Sequence, residues 1–443
     1  MYRLYGALLR LAWAAVLPYQ TVIALASGRA RPRLREKLGR CAGGDRGGFW
    51  VHAVSVGEVR LALPLVAGIK GLAPGLPVHL TTCTATGRAL AEAAREGAGP
   101  GRPDSISDLP LDLPGPMGRL LDRLQPRAIV IVETEIWPNL LRLCGRRGVP
   151  VVLVNGRISP RAYPRYRAVR RFLRPALREV RLLGMQSEED AERIRSLGAP
   201  PERVRVTGNL KYDLPPPVLE AAEARRRLGL GPHEPLFVAG STAPGEEAAV
   251  LGAFAALRRA EPSTRLALAP RHPESFPRAA EALRAAGLRV RTHSGRPAPG
   301  ARDGAPSGPY DALLVDVVGV LPEIYAAADV VFVGGSLVPR GGQNVLEPAA
   351  LGKPVLFGPS VDNFRAAAAA LAEAGGGFMA RDAGELADLA VRLLTDRTAS
   401  RVAGTMARRV VEANRGALGR TILMIEEAIG PRPGATGIAA ARP

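Results

Sequence analysis

A glutamate in the segment HAVSVGEVRLALPLV, His52–Val66, is the first candidate for chemistry. Glu58 follows Gly57 where an apolar, strand-like run gives way to a helix-like one. An acid in the first turn of a helix complements the macrodipole, so a purely structural role stays open. A carboxylate is also a suitable general base when it lies within hydrogen-bond reach of a proton. Glu58 is therefore a candidate base whose role depends on its neighbours.

Two more glutamates and a lysine stand at similar places. Glu133 and Glu135 follow the apolar run AIVIV, and Pro138 then suits the first turn of a helix. If the strand extends through both glutamates, their side chains share a face. Ordinary helix capping is the alternative. Lys211, in GNLKYD, stands out in a chain whose basic residues are nearly all arginines, which hints that a compact charge is needed there.

The second half of the chain carries the strongest pattern, GGSLVPRGGQNVLEPAALGKPVLFGP. Two glycine pairs precede a predicted helix, QNVLEPAALG, whose N-terminus would direct backbone N–H groups at an anion. Glu347 lies near that start, where a carboxylate can accept hydrogen bonds from sugar hydroxyls. Arg271, after the apolar run RLALAP, suits a phosphate or carboxylate. Together these residues indicate a nucleotide-sugar site in the second half of a two-lobed glycosyltransferase.

Strands that alternate with helices must position these residues. The strand candidates are FWVHAVS, VHLTTC, AIVIVETE, VPVVLVNG and LLGMQS, then PLFVAGS, RLALAP, LRVRTHS, ALLVDV, VVFVGGS and KPVLFG. Such alternation predicts parallel βαβ units, here in two doubly wound halves separated by a proline hinge at Pro215–Pro217. These folds place ligands outside the carboxyl ends of their strands. The candidate residues follow strand ends throughout, which supports them more than any single motif does.

The N-terminus and the charge of the chain suggest an anionic surface. The formal net charge of the 443 residues is +19, which favours anionic partners. The apolar segment Leu11–Ala26 is short for a membrane span, and Pro18 interrupts it. A basic cluster follows from Arg29 to Arg40, which places the next domain in the cytoplasm. We expect an N-terminal anchor that either spans or lies on the membrane. A helix docked on its own domain is the alternative, and signal cleavage is disfavoured.

Composition excludes other classes. The three cysteines are widely spaced, and neither they nor the five histidines show metal-binding spacing. We therefore predict no metal and no cofactor. Aromatic residues are 5% of the chain, and no stacking platform or groove-reading motif is present, which argues against nucleic-acid binding. A basic membrane adaptor would leave the polar strand ends unexplained.

In order and number, the motifs resemble those of the 3-deoxy-D-manno-octulosonic acid (Kdo) transferases of lipopolysaccharide synthesis. The resemblance extends to about residue 425 and rests on HAVSVGE, TTCTATG, PLDLPG, VETEIWPN, NGRIS, GNLKYD, PRHPESF, GGSLVPRGGQNVLEPAALGKPV and GPSVDNF. It implies a GT-B fold, with two Rossmann-like domains facing a cleft. It also implies CMP-Kdo as donor, a lipid A precursor (lipid IVA) as acceptor, and the cytoplasmic side of the inner membrane as location.

The resemblance also implies roles for residues. The family's general base falls on Glu58, and its transition-state-supporting positions fall on Glu133 and Lys211. The implied CMP contacts are Pro270, Arg271, Val318, Gly319, Val320, Asn344, Val345, Leu346 and Glu347. The family usually has Gly-Glu at Gly319-Val320, often Pro at Val345, and His-Glu-Gly-Glu at Ala243–Glu247. A valine has no side-chain acceptor, so contact at Val320 would have to use the backbone.

We expect five segments on this basis. They are an anchor at 1–40, an acceptor domain at 41–214, a CMP-sugar domain at 218–405, a C-terminal helix at 406–429 that packs on the first domain, and a disordered tail at 430–443. A GT-B enzyme that uses a UDP-sugar is the nearest alternative. The oligomeric state, the number of Kdo residues added and the acylation of the acceptor stay open.

Overall fold

The structure, a computed structural model, describes residues 5–7, 9–11, 13, 30–41, 43–214, 219–231, 233–296 and 309–430. It divides the chain into two units, residues 1–214 with 415–443 and residues 215–414. The proline hinge at 215–217, the tail beyond residue 430 and all of segment 11–26 except Leu11 and Trp13 lie outside the described residues. Within the described ranges no helix is both long and apolar enough to cross a membrane, so the predicted anchor helix is not confirmed.

The first unit is built on a seven-stranded sheet with the order β3-β2-β1-β4-β5-β6-β7, in which every described pairing is parallel. The strands are β1 Phe49–His52, β2 Val78–Thr82, β3 Ser105–Asp108, β4 Ala128–Val132, β5 Val151–Gly156, β6 Leu182–Met185 and β7 Val204–Val206. The helices are α1 Ala30–Lys37, α2 Val56–Leu72, α3 Ala85–Glu96, α4 Pro114–Leu124, α5 Pro138–Arg147, α6 Tyr163–Ala168, α7 Arg170–Leu177 and α8 Glu188–Leu197.

Both faces of this sheet are buried, which explains why its central strands are apolar at nearly every position. Trp50 belongs to the hydrophobic cluster on one face, and its neighbours Phe49 and Val51 belong to the cluster on the other. All three residues are at most 1% exposed. A rigid, covered sheet therefore fixes the loops that carry polar residues at its edge.

The second unit has its own seven-stranded sheet with the order β10-β11-β9-β8-β12-β13-β14, again parallel throughout its described pairings. The strands are β8 Leu236–Thr242, β9 Arg265–Pro270, β10 Val290–Thr292, β11 Ala312–Leu314, β12 Val330–Val333, β13 Val355–Phe357 and β14 Gly377–Met379. The helices are α9 Ala221–Arg227, α10 Glu247–Ala260, α11 Phe276–Ala285, α12 Leu321–Ala327, α13 Leu346–Ala350, α14 Arg365–Glu373, α15 Ala383–Thr395 and α16 Arg397–Ala413.

The last helix, α17 (Ala417–Ile429), belongs to the first unit. The Asp213 carboxylate accepts hydrogen bonds from the backbone N–H groups of Gly416 (2.7 Å) and Leu418 (2.6 Å), which satisfies the start of the helix. A Cβ on Gly68 of α2 would lie 2.4 Å from Ile422, so the glycine lets the two helices approach closely. The expected boundary between residues 405 and 406 falls inside α16.

The strand order of each sheet reverses beside its first strand. In the first unit β1 lies between β2 and β4, and in the second unit β8 lies between β9 and β12. A reversal of this kind leaves a crevice at the carboxyl ends of the two strands, and open α/β sheets bind ligands there. The predicted parallel α/β architecture of both halves is confirmed, and its two switch points are the places to look for a site.

Candidate active site

Glu58 lies at the switch point of the first sheet, in the first turn of α2 directly after β1. Its Oε2 accepts a hydrogen bond from the Val54 N–H (2.6 Å), and its Oε1 accepts one from the Ser55 hydroxyl (3.0 Å). Only 8% of the residue is exposed. Burial raises the pKa of Glu58 to about 7, although these two hydrogen bonds oppose the change. A carboxyl with that pKa is half ionised near neutrality, as a general base should be.

Glu133 lies across the same switch point, directly after β4. The strand ends at Val132, so the expectation that Glu133 and Glu135 continue it and share a strand face is wrong. The Glu133 N–H still donates to the Val154 carbonyl (2.8 Å), but the backbone then turns into the left-handed region with φ of 62°. That conformation is uncommon outside glycine and clusters at functional sites. It directs the chain out of the sheet at the residue predicted to support the transition state.

Glu135 joins the same group of carboxylates, although the sequence analysis gave it no role in the reaction. Its pKa is raised to about 7, chiefly by burial and in part by the charge of Glu133. The charges of Glu133 and, more weakly, Glu135 also contribute to the raised pKa of Glu58. Like charges that share a site disfavour ionisation, so the charge of Glu133 acts on both Glu58 and Glu135. The motif VETE contained the signal, because both of its acids follow one buried strand.

Lys211 supplies a positive charge to this group. Its Nζ lies 3.7 Å from Glu133 Oε1, and the residue belongs to the 3₁₀ turn Leu210–Asp213. Asn155 fixes that turn, because its Oδ1 accepts a hydrogen bond from the Leu210 N–H (3.0 Å). Asn155 is fully buried, and its φ of 56° lies in the left-handed region one residue before the end of β5. The structure thus brings Glu58, Glu133 and Lys211 together, with Asn155 as a support for the turn that carries Lys211.

A second lysine contributes to the electrostatics of this edge. Lys37, in the basic cluster after the N-terminal segment, donates to the Leu109 carbonyl (3.2 Å) and lies 3.8 Å from Asp108. Burial lowers the pKa of His52 to about 3, and the charge of Lys37 contributes to this fall. Burial raises the pKa of Cys83, and the charge of Lys37 opposes that rise. Arg33 also pairs with Asp108, at 3.0 Å. Ion pairs with Asp108, the last residue of β3, therefore hold part of the basic cluster against the first sheet.

The residues expected to bind CMP lie in the second unit, after three strands of its sheet. Pro270 ends β9 beside Thr242, and the Arg271 N–H donates to the Thr242 carbonyl (2.9 Å) while the Arg271 side chain is exposed. The segment Val318–Val320 follows β11. Val318 is 71% exposed, and Gly319 has φ of 99°, which a residue with a side chain adopts only under strain.

The remaining four, Asn344–Glu347, follow β12 and surround the start of α13. The Asn344 amide donates to Glu347 Oε1 (3.1 Å), and its Oδ1 accepts from the Leu346 N–H (3.1 Å). Val345 and Leu346 are at most 2% exposed, so their side chains are buried in the core. The expected anion site at the N-terminus of this helix is not supported, because α13 has five residues and its first N–H already has a partner.

Across the described ranges, no group of three or more His, Cys, Asp or Glu side chains is arranged to hold a metal ion. Within the candidate site, Glu133 is instead paired with Lys211, and Glu58 accepts hydrogen bonds from the Val54 N–H and the Ser55 hydroxyl.

The two parallel-sheet units define a two-domain α/β protein of the GT-B type, and solved structures share this fold. A glycosyltransferase from Rickettsia africae matches with a TM-score of 0.59 at 11% identity, covering 86% of this chain and 98% of that one. UDP-GlcNAc 2-epimerase from Neisseria meningitidis matches with a TM-score of 0.58 at 12% identity, covering 85% and 99%. At such low identity these likenesses establish the fold alone.

Sequence comparison establishes the family. The family model for 3-deoxy-D-manno-octulosonic-acid transferase (kdotransferase) matches residues 32–214. The 3-deoxy-D-manno-octulosonic acid transferase of Bordetella pertussis is 40% identical over 86% of this chain and 87% of its own length. The enzyme of the same name from Haemophilus influenzae is 33% identical over 95% and 97%. The chain belongs to the 3-deoxy-D-manno-octulosonic acid transferase family, which confirms both the resemblance and the predicted enzyme class.

Proposed function

We propose that this enzyme transfers Kdo from CMP-Kdo to the lipid A precursor lipid IVA, with inversion of configuration and with Glu58 as general base. The observation that carries the proposal is the position of Glu58. It is a nearly buried carboxyl at a switch point, its pKa is raised to about 7, and the charge of the nearby Glu133, which pairs with Lys211, acts on it. Functional sites are where carboxyl pKa values are commonly raised to match a task near neutrality.

The chemistry is a single displacement. Ionised Glu58 takes the proton of an acceptor hydroxyl, and the hydroxyl oxygen forms a bond to the anomeric carbon of Kdo. The bond between that carbon and the CMP phosphate breaks, and its electron pair leaves with the phosphate, so the configuration inverts. Lys211 offsets negative charge on the phosphate or on the Kdo carboxylate. Glu133 holds the Lys211 ammonium by their ion pair at 3.7 Å.

The donor is assigned to the second unit. Arg271 is exposed at the carboxyl end of β9 and suits a phosphate, since its guanidinium group offers several donors in a fixed plane. Gly319 follows β11 of the same sheet. The side chains of Asn344 and Glu347, which are hydrogen-bonded to each other, follow β12. Val320 and Val345 would contact CMP through their backbone groups. No metal or cofactor is part of the proposal.

The anionic inner-membrane surface, on its cytoplasmic side, is the proposed location. A cavity of about 840 Å³ on the first unit is lined by arginines of α7 and nearby turns, among them Arg170, Arg171, Arg174 and Arg178. These four guanidinium groups make no ion pair within the described part of the chain. Anionic headgroups attract such clusters. The centroid of the Tyr5 ring lies 5.3 Å from that of the Phe172 ring in α7, so Tyr5 packs against the same helix.

The decisive experiment incubates the purified enzyme with CMP-Kdo and lipid IVA and weighs the products by mass spectrometry. Glu58→Gln should lower kcat by about 10²–10⁴-fold, the usual contribution of a general base, and leave CMP binding unchanged. Glu96→Gln, at an exposed position of α3, is the matched control and should retain full activity. Near-normal turnover by the Glu58 variant would remove Glu58 from this role. The anomeric configuration of the product, read by NMR, tests inversion.

The donor assignment has its own test. CMP should raise the melting temperature of the enzyme, whereas UDP should not at the same concentration, because ligands that bind the native state stabilise it by mass action. A larger shift with UDP would favour the alternative, a GT-B enzyme that uses a UDP-sugar.

A further inference from the structure

A fully buried carboxylate occupies the switch point of the second sheet. Glu246 lies between β8 and α10 and has no exposed surface. Its Oε1 accepts hydrogen bonds from the N–H groups of Ser336 and Leu337, both at 2.9 Å. Its Oε2 accepts from Ala243 (2.8 Å) and Gly335 (2.7 Å). Four backbone N–H groups thus surround one side chain, and such charge-assisted bonds are stronger than neutral ones.

Three of these donors belong to the loop that follows β12. This loop, Gly334–Leu337, is the first glycine-rich turn of the motif that predicted a nucleotide-sugar site. Backbone N–H groups arranged around a concavity form the kind of nest that binds a phosphate. Here the concavity already holds the protein's own carboxylate. The same amides therefore cannot bind the donor phosphate unless Glu246 is displaced.

The loop in turn holds the segments that lead to the predicted CMP contacts. The Gly335 carbonyl accepts from the Gly342 N–H (2.8 Å), and Gly342 precedes Asn344 by two residues. The Ser336 carbonyl accepts from the Ser360 N–H (2.8 Å). The Ser360 hydroxyl accepts from the Gly341 N–H (2.8 Å). Glu246 thus anchors a hydrogen-bonded chain that ends beside Asn344–Glu347.

We propose that Glu246 is a positioning residue for the donor, because it fixes the loop Gly334–Leu337 and through it the Asn344–Glu347 segment that contacts the nucleotide. The proposal rests on the donor assignment made above and adds a residue that the assignment does not contain. It also states where the donor phosphate does not bind, namely at the amides of residues 335–337.

The requirement for a carboxylate follows from the geometry. Both oxygens accept two N–H groups each, so both must be acceptors. In Glu246→Gln one oxygen becomes an NH₂ group, which would face two backbone donors and release one side of the loop. Glu246→Asp keeps both acceptors but is one methylene shorter, so it should restore part of the function.

Nucleotide binding and kinetics of these variants test the proposal. Glu246→Gln should weaken CMP binding and raise the KM for CMP-Kdo by at least tenfold, while the KM for the acceptor stays within twofold. Glu246→Asp should fall between this variant and the wild type. Glu247→Gln is the matched control. Its carboxylate accepts from the Gly245 N–H (2.7 Å) and pairs with Arg278 at 3.4 Å, and the structure gives it no hydrogen bond to residues 334–337.

The outcomes separate the two claims. A folded Glu246→Gln variant with unchanged CMP affinity and an unchanged KM for CMP-Kdo would overturn the positioning role. A general loss of folded enzyme would lower kcat without raising the donor KM, and this result would also overturn it. If the wild type binds UDP and not CMP, the donor assignment fails, and the same variants are then compared with UDP. If it binds neither, both claims fail.

Hydrogen exchange of the wild-type enzyme supplies a test that does not depend on variants. The amides of Gly335, Ser336 and Leu337 should be protected without ligand, since Glu246 already holds them, and CMP should change their exchange little. The amides of residues 342–347 should gain protection when CMP binds. Fast exchange at 335–337 in the free enzyme, followed by protection on adding CMP, would show that the nucleotide uses these amides and would overturn the proposal.

Discussion

Each unit places a glutamate after the first strand of its sheet, but the two carboxylates differ in the hydrogen-bond donors that they meet. Glu58 follows β1, the first strand of its sheet, and Glu246 follows β8, the first strand of the other. Glu58 accepts one backbone N–H and one hydroxyl, and acidic neighbours repel its charge. Glu246 accepts four backbone N–H groups. The Glu58 carboxylate thus accepts two hydrogen bonds, whereas the Glu246 carboxylate accepts four.

This difference shows how one architectural position serves two purposes. A buried carboxylate that lacks donors takes up a proton readily, because burial disfavours its charge more than its few bonds favour it. Such a group can exchange protons with a substrate. A buried carboxylate with a full set of N–H donors is held in a fixed geometry through both of its oxygens. We infer that the first unit uses its switch point for proton transfer and the second uses its own for loop geometry.

The largest expected effect comes from crowding the second switch point. A Cβ on Gly334 would lie 2.5 Å from Thr242 Cα and 2.7 Å from Glu246 Oε2, so Gly334→Ala must displace the backbone or the carboxylate. We expect a loss of about 1–3 kcal/mol in stability from overpacking, and at least tenfold weaker CMP binding. Calorimetry with CMP and thermal unfolding measure the two effects.

Gly252→Ala is the matched control for this change. Gly252 lies inside α10, and a Cβ there would meet nothing within 4 Å. Alanine is also the better helix former, so this variant should be equal to the wild type or more stable by up to about 1 kcal/mol. If Gly334→Ala behaved like Gly252→Ala, the carboxylate and its loop would not be as tightly coupled as the comparison requires.

The sequence predicted the central strands of both sheets and the edge strand β10, within LRVRTHS, but it missed the edge strands β3, β7 and β14. The central strands are buried on both faces, so they read as continuous apolar runs that are easy to recognise. β3, with the sequence SISD, and β14, with the sequence GFM, lie at sheet edges and are short. β7, VRV, is an edge strand with two exposed residues. Edge strands carry little apolar periodicity, so their pairing comes from the neighbouring strand rather than from their own residues.

The candidate site divides in the same way. Glu58, Glu133 and Lys211 could be named from the sequence, since each is a charged residue after a strand or before the hinge. The conformation of Glu133 could not, because the strand ends at Val132, three residues earlier than the alternation in VETE suggests. Glu246 was quoted only as part of a departure from the family pattern. Its role depends on amides about 90 residues away in the chain, which no local pattern reveals.

An intermediate effect is expected on stability, through the unusual pKa of Glu58. The carboxyl pKa rises from 4.5 to about 7 on folding, so the folded state holds its proton more tightly than the unfolded state. The stability contributed by the protonated group is complete below pH 4.5 and is lost as the pH rises through 7. Glu58→Gln removes this loss. Relative to the wild type, the variant should gain roughly 1–3 kcal/mol between pH 5 and pH 8.

The melting temperatures of the wild type and of Glu58→Gln are measured at pH 5 and at pH 8. The gain is the difference between the two proteins at pH 8 minus their difference at pH 5. This comparison cancels effects of the glutamine that do not depend on pH. Glu96→Gln on α3 is exposed and should show the same offset from the wild type at both pH values. An equal offset for Glu58→Gln would mean that Glu58 is ionised as readily in the fold as outside it. The contrast with Glu246 would then lose its basis.

The smallest expected effect tests whether the acidic neighbours set the pKa of the base. The rate of transfer should rise with pH through a limb centred near 7, because Glu58 must be ionised to accept a proton. Removing the charge of Glu133 should move this limb to lower pH, by less than the full interval between 7 and 4.5, because burial is the larger cause of the shift. Glu135→Gln should move it in the same direction but less, since the charge of Glu135 acts more weakly on Glu58.

The pH profiles of both variants are measured as kcat/KM against pH. The midpoint of each limb is then read separately from its maximum, which should fall in Glu133→Gln because Lys211 loses its ion pair. A limb that stays in place in both variants would assign it to a group other than Glu58, and a shift to higher pH would mean that Glu133 assists ionisation of the base rather than opposing it.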